Sequence, residues 1–243
     1  MVTSQNTAIK PQALLFDLDG TLMDTAPDFF PTVNALRAEH GLPPLGNDII
    51  RQQVSNGGRA LTRLALDMPA LEASAQDIGI DEAFESKRQR LLELYIEHLA
   101  SKSELFAGMI ELLETCQQHA LPWGIVTNKP RLYTEILLQR LTTRLPILSS
   151  CAVLVCPDDV SRTKPYPDPL LLAAKTLCIA TEDCWYLGDH KRDIEAGNSA
   201  NMFTIATLYG YISPSDQPEN WQADIMVESV EDIQRLLTAS RDR

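Results

Sequence analysis

The sequence predicts an α/β fold: a Rossmann-like parallel sheet with an all-helical block inserted after its first strand. Three observations carry this. An apolar run of strand length, Ala13-Leu14-Leu15-Phe16, leads into Asp17-Leu18-Asp19-Gly20-Thr21. Residues from about 26 to 103 show helical spacing and no convincing strand. From about 104 onward, short apolar strands alternate with helical segments, as in a sheet buried on both faces. With 243 residues, 44% of them hydrophobic, the chain can bury one large core and a smaller one. The expected division is an α/β core of residues 1–24 and 104–243 and a helical cap of 25–103.

Taken in order, Thr25 with Asp28 three residues on reads as a capping-box variant, with Pro27 in the first turn. Phe29, Val33 and Leu36 fall on one face of that helix, and Pro31 is expected to bend it. Gly41-Leu42-Pro43-Pro44 ends it. A short helix from about Asp48 to Ser55 precedes a loop, Asn56-Gly57-Gly58-Arg59, and a further helix from Ala60 that Pro69 ends. Phe84, Leu91, Tyr95 and Leu99 mark a long amphipathic helix. In the second part, helices are expected at Gly108–Ala120, Pro130–Leu141, Pro169–Leu177 (Asp168 at its cap), Asp193–Ala200 and Val230–Ala239. Strands are expected at Trp123–Thr127, Ala152–Val155, Trp185–Leu187, Phe203–Leu208 and Asp224–Val227.

The formal charge of -12 argues against nucleic acid as a partner. Five cysteines, Cys116, Cys151, Cys156, Cys178 and Cys184, form no Cys-x-x-Cys pair and read as reduced, buried thiols. Met1 to Lys10 lacks an apolar leader, and no apolar run approaches membrane-spanning length. The expectation is a cytoplasmic protein, monomer or homodimer, that binds no membrane.

In parallel sheets of this kind ligands lie beyond the carboxyl ends of the strands. Asp17 and Asp19 lie there and point the same way if the strand persists to its end. Buried carboxylates need a partner, and a divalent cation supplies one; magnesium takes carboxylate oxygens and substrate phosphates alike. Gly20 permits a sharp exit. After the next strand, Thr127 and Asn128 stand at a helix N-terminus, suited to a phosphate or simply to capping. Prolines 165 and 167 hold Lys164 extended, as a point charge for a phosphoryl group or as a solvated side chain, with Arg162 a weaker alternative. Asp189 follows the fourth strand where a metal ligand is needed. Asp193, four residues on, holds a metal-bound water, caps the next helix, or does both. His190 has no second metal-type ligand near it in sequence and is read as a bystander.

Asp17 and Asp19, Thr127, Lys164, then Asp189 and Asp193 match in order the four motifs of the haloacid dehalogenase superfamily phosphatases. The helical insert is similar to that superfamily's first cap class. Within it the chain resembles phosphoglycolate phosphatase-like enzymes. The strings Gly41-Leu42-Pro43-Pro44, Trp123-Gly124-Ile125-Val126-Thr127-Asn128-Lys129-Pro130, Val155-Cys156-Pro157-Asp158 and Tyr209-Gly210-Tyr211-Ile212 resemble the bacterial N-acetylmuramic acid 6-phosphate phosphatases of cell-wall recycling. The resemblance implies a Mg2+-dependent hydrolase of a small phosphomonoester. Asp17 would be the nucleophile that becomes an aspartyl-phosphate, and Asp19 the acid–base group. Magnesium would be held by Asp17, Asp189, the Asp19 main-chain carbonyl and Asp193. Thr127, Asn128, Lys164 and amides near Gly20 would take the phosphoryl oxygens. Arg59, in the Gly-Gly loop of the cap, is a candidate for reading the leaving group or else a solvated side chain, and Ser213–Trp221 is a second candidate loop.

Rival readings differ in chemistry. A dehalogenase needs neither an acid–base carboxylate at position 19 nor a metal ligand at 189. A β-phosphoglucomutase-like phosphomutase shares the motifs but returns the phosphoryl group to a sugar. A non-catalytic sensor of phosphate compounds would keep a buried carboxylate set without using it.

Overall fold

The computed structural model describes residues 10–69, 82–213 and 215–241. It divides into two compact units, Met1–Asp24 with Glu104–Arg243, and Thr25–Ser103. The reading of the chain start as lacking a leader falls on residues 1–9, outside those described.

The first unit is an α/β fold. Six strands, β1 (Ala13–Phe16), β4 (Trp123–Val126), β5 (Val153–Val155), β6 (Cys184–Gly188), β7 (Phe203–Thr207) and β8 (Ile225–Val227), form one sheet in the order β5-β4-β1-β6-β7-β8. Every pairing in it is parallel. β1 is central because its four residues are wholly buried: successive side chains face opposite ways, and helices cover both faces. Ala13 and Leu15 join Val126, Val155, Leu170, Ala173, Tyr186 and Ala196 in one cluster, and Phe16 meets Trp123 edge-on at 6.4 Å. The chain builds outward from β1 through β4 to β5, then returns to its other side with β6. That reversal opens a crevice at the carboxyl ends of β1, β4 and β6.

The helices of this unit are α5 (Met109–Gln118), α6 (Arg131–Thr142), α7 (Asp168–Leu177), α8 (Lys191–Ser199) and α9 (Val230–Arg241). Asp168 does not cap α7 with its side chain; it is the first helical residue and pairs with Arg162. A two-residue strand pair, β2 (Met23–Asp24) with β3 (Glu104–Leu105), was not expected; runs that short carry no periodicity. Three of the cysteines, Cys116, Cys156 and Cys184, are buried, Cys151 is half-buried, and Cys178, which ends α7, is exposed, against the expectation for it. Burial pushes the Cys116 thiol up to about 12 and Cys151, Cys156 and Cys184 up to about 11, which suppresses their nucleophilic form.

The second unit holds α1 (Ala26–Glu39), α2 (Asn47–Arg51), α3 (Gly57–Ala65) and α4 (Glu82–His98). Phe29 stacks on Tyr95 at 4.0 Å where α1 packs on α4, and Phe84, Leu91 and Leu94 are buried with them. α1 runs through Pro31 unbroken. The Thr25 side chain makes no capping bond to α1; the Asp28 N–H donates to the Thr25 main-chain carbonyl at 3.2 Å, and the Asp28 carboxylate is engaged elsewhere. The Asp28 carboxylate accepts from the Ala100 and Lys102 amides, both at 2.7 Å, and from the Ser101 and Ser103 hydroxyls. Of the expected loop at 56–59, Asn56 ends a 3-10 turn and Gly57–Arg59 open α3, entered through Gly57 at φ +77°. The expected 48–55 helix is α2 followed by a separate 3-10 turn, Val54–Asn56. No described helix is long and apolar enough to cross a membrane.

Candidate active site

β1 stops at Phe16, earlier than the alternation argument for positions 17 and 19 requires. The Asp17 amide still donates to Leu187 O at 2.8 Å, and then the chain turns back on itself. Leu22 N–H donates to Asp17 O (3.2 Å), Met23 N–H to Leu18 O (3.0 Å) and Gly20 N–H to Met23 O (2.8 Å). The loop thus uses the Gly20 amide internally, and what Gly20 supplies is room. Its φ of +91° is left-handed, and a Cβ there would overlap Asp189 Oδ2. Gly20→Ala is therefore expected to destabilise by at least about 1–2 kcal/mol from backbone strain alone. That is a fall in Tm of roughly 3–8 °C, read by thermal circular dichroism; an unchanged Tm would contradict this reading of the loop.

Three carboxylates converge at the strand ends. Oxygens of Asp17, Asp189 and Asp193 lie within 4.8 Å of one another, all three buried. Asp189 Oδ2 accepts from Tyr211 N–H at 2.7 Å and Oδ1 from the Thr21 hydroxyl at 3.3 Å. Asp193 sits in the first turn of α8 and does cap it, accepting from His190 N–H at 3.1 Å. His190 is the matching N-cap: its Nδ1 accepts from Arg192 N–H at 3.3 Å, and burial holds the ring down at about 4.

Lys164 is not solvated. It is 3% exposed, and its Nζ lies 2.7 Å from both Asp17 Oδ1 and Asp193 Oδ1, 2.9 Å from Tyr186 Oη and 3.0 Å from Val126 O. Arg162, the alternative, is exposed and occupied by Asp168 and the Tyr166 ring. Asn128 Nδ2 donates to Lys164 O at 3.0 Å, so Asn128 holds the lysine's loop. Thr127 is buried; its hydroxyl accepts from Lys129 N–H at 3.1 Å and keeps its own hydrogen to donate. Asp19 lies beyond the three-carboxylate group, with Lys129 Nζ 3.0 Å from its Oδ1.

Charge is unbalanced here. Burial lifts Asp17 to about 6, in spite of Lys164, and lifts Asp189 far above the carboxylate range, with Asp17 and Asp193 adding repulsion. Burial pushes Asp193 up as well, but Lys164 and Arg192 outweigh it and its net direction is down. Burial opposes the charge on Lys164, yet Asp17 and Asp193 hold it above its usual value. Three carboxylates against one ammonium, in an enclosed space of oxygen donors, fit a hard divalent cation such as magnesium. Asp17, Asp189 and Asp193 are the side chains that could hold it.

Arg59 belongs to the helical unit. Its side chain is half exposed, 3.8 Å from Glu85 Oε2. The Ser213–Trp221 segment is anchored at its end by buried Trp221 against Ile194 and Ala206. Sequence reasoning assigned no role to Lys129, Tyr186 or Tyr211. The available signal was position: each lies within three residues of a strand end that carries a candidate residue, or, for Tyr211, in the loop after β7.

The sequence profile of the haloacid dehalogenase-like hydrolases matches residues 14–207. An N-acetylmuramic acid 6-phosphate phosphatase of Pseudomonas putida is 41% identical over 229 residues, covering 94% of this chain and 97% of that protein. A phosphoglycolate phosphatase of Xanthomonas campestris is 40% identical over 218 residues, covering 90% and 92%. The crystal structure of a predicted phosphoglycolate phosphatase from Haemophilus somnus superposes with a TM-score of 0.78 at 23% identity, covering 93% and 98% of the two chains, and shares the fold.

Proposed function

The chain belongs to the haloacid dehalogenase-like hydrolase family, and from that premise we propose that it is a magnesium-dependent phosphomonoesterase working through an aspartyl-phosphate. The observation that carries this reading is the buried trio Asp17, Asp189 and Asp193 closed on one side by Lys164.

Asp17 Oδ1 is held by Lys164, which presents the other oxygen to phosphorus. That oxygen bonds to phosphorus while the ester P–O bond breaks, and the leaving oxygen takes a proton from Asp19. Water then loses a proton to Asp19 and attacks phosphorus, freeing the Asp17 carboxylate and inorganic phosphate. Lys164 and the Thr127 hydroxyl take equatorial phosphoryl oxygens, and Asn128 keeps Lys164 in place. Asp17, Asp189, the Asp19 main-chain carbonyl and Asp193 (directly or through water) would hold the magnesium, which would supply neutralisation of the phosphoryl charge and alignment. Asp19→Asn is expected to lower kcat/KM, which reports the P–O cleavage step, far more on phenyl phosphate than on p-nitrophenyl phosphate, whose leaving group needs no proton. Equal losses in kcat/KM would remove Asp19 from the acid role.

Among substrates we favour N-acetylmuramic acid 6-phosphate, on the near full-length match to that relative, with phosphoglycolate second. A cytoplasmic place in cell-wall recycling goes with the first substrate. A Mg2+-dependent phosphate-release screen over both, other amino-sugar 6-phosphates and nucleotides tests it. The highest kcat/KM on N-acetylmuramic acid 6-phosphate is expected; a tenfold preference for phosphoglycolate overturns that choice. Formation of a sugar bisphosphate would instead indicate a phosphomutase. Arg59 is retained as a leaving-group donor: Arg59→Ala is expected to change the ranking of substrates in this screen, and an unchanged ranking leaves it a surface side chain.

A further inference from the structure

Resting on the reading of Asp19 as the acid–base group, we propose that Lys129 is a positioning residue that aims the Asp19 carboxylate at the leaving oxygen. Lys129 follows Thr127 and Asn128 at the end of β4, the strand beside β1. Its Nζ donates to Asp19 Oδ1 at 3.0 Å and reaches Oδ2 at 3.4 Å. Its stem is fixed at both main-chain ends: its N–H donates to the Thr127 hydroxyl at 3.1 Å, and its carbonyl accepts from the Thr134 hydroxyl at 3.2 Å.

Asp19 needs such a guide. It lies past the end of β1, on a loop tied back through Met23, so the sheet does not set its side-chain direction. A proton donor must stay within hydrogen-bond reach of the leaving oxygen, and each freely turning torsion works against that. An ammonium on both carboxylate oxygens fixes the torsions and keeps Asp19 apart from the neighbouring trio. Enclosing that ammonium is costly: the Lys129 side chain is 6% exposed, where a solvated lysine would escape the desolvation penalty. The two lysines thus divide the work. Lys164 reaches Asp17 and Asp193, while Lys129 reaches Asp19.

The test compares Lys129→Met, Lys129→Arg, Asp19→Asn and the Lys129→Met/Asp19→Asn double variant, Mg2+-loaded, on phenyl phosphate and p-nitrophenyl phosphate. Lys129→Met is expected to lower kcat/KM about tenfold more on phenyl phosphate than on p-nitrophenyl phosphate. Inhibition by inorganic phosphate should stay as in the parent. Lys129→Arg should recover part of the loss, and the double variant should be no slower than Asp19→Asn. Equal loss on both esters with weakened phosphate inhibition would make Lys129 a phosphoryl ligand and overturn the proposal. So would additive losses in the double variant, or no loss at all. If Lys129→Met fails to fold by circular dichroism, Lys129→Gln is held to the same outcomes. Asp19→Asn alone reports on the underlying reading: without leaving-group dependence in that variant, Asp19 is not the acid, whatever Lys129 does.

Discussion

Asp17→Asn is expected to lower kcat by about 10³-fold or more while leaving the fold intact. The amide is nearly the same shape and keeps an oxygen for Lys164, so the Lys164 contacts to Asp193, Tyr186 and Val126 survive. What it loses is the anionic oxygen that bonds to phosphorus, and nothing near it substitutes. Asp189 is held by Tyr211 and Thr21, and Asp193 by Lys164 and the start of α8. Steady-state phosphate release with a thermal melt checks both halves. A folded variant with half the parent activity would end the assignment.

Lys164→Met is expected to damage stability and turnover together. Asp17 and Asp193 would each lose a contact of 2.7 Å in a place with almost no access to water. Removing one member of a buried ion pair costs about 3–5 kcal/mol, a fall in Tm of roughly 10 °C in a chain of this size. Turnover falls by about 10²-fold or more because the phosphoryl oxygens lose a fixed positive charge. Saturating Mg2+ should recover part of the Tm, since the cation answers the same carboxylates, but not the turnover. A solvated lysine would change stability by no more than ~0.5 kcal/mol; a melt within a degree of the parent contradicts the burial described here.

Much of the site was legible because Asp17, Thr127 and Asp189 each directly follow a buried apolar strand. Val126 leads to Thr127, and Leu187 leads to Gly188 and Asp189; a reader of the sequence needs only the strand and the rule that ligands collect beyond its carboxyl end. The lateral order of strands was not legible. Lys129 acquires its partner only because β4 lies next to β1, a relation between segments more than a hundred residues apart. Asp28 misled for the same reason. Its spacing from Thr25 suggested a local cap, but four donors from residues 100–103 claim its carboxylate. Gly57 and Gly58 looked like a loop because glycine is a poor helix former, yet they open α3, where Leu61, Thr62 and Ala65 are buried. Asp19 shows the limit of the alternation argument, since the strand ends before Asp17 and the loop geometry decides the rest.

The central claim is a covalent bond between phosphorus and Asp17. It is tested by mixing Mg2+-loaded enzyme with radiolabelled phosphomonoester, quenching in acid within a turnover, and locating the label by peptide mass spectrometry. The account predicts an acid-stable, base-labile phosphoryl group on Asp17, absent from Asp17→Asn and absent when the metal is chelated. Label on any other residue, in a preparation that is turning over, would contradict it.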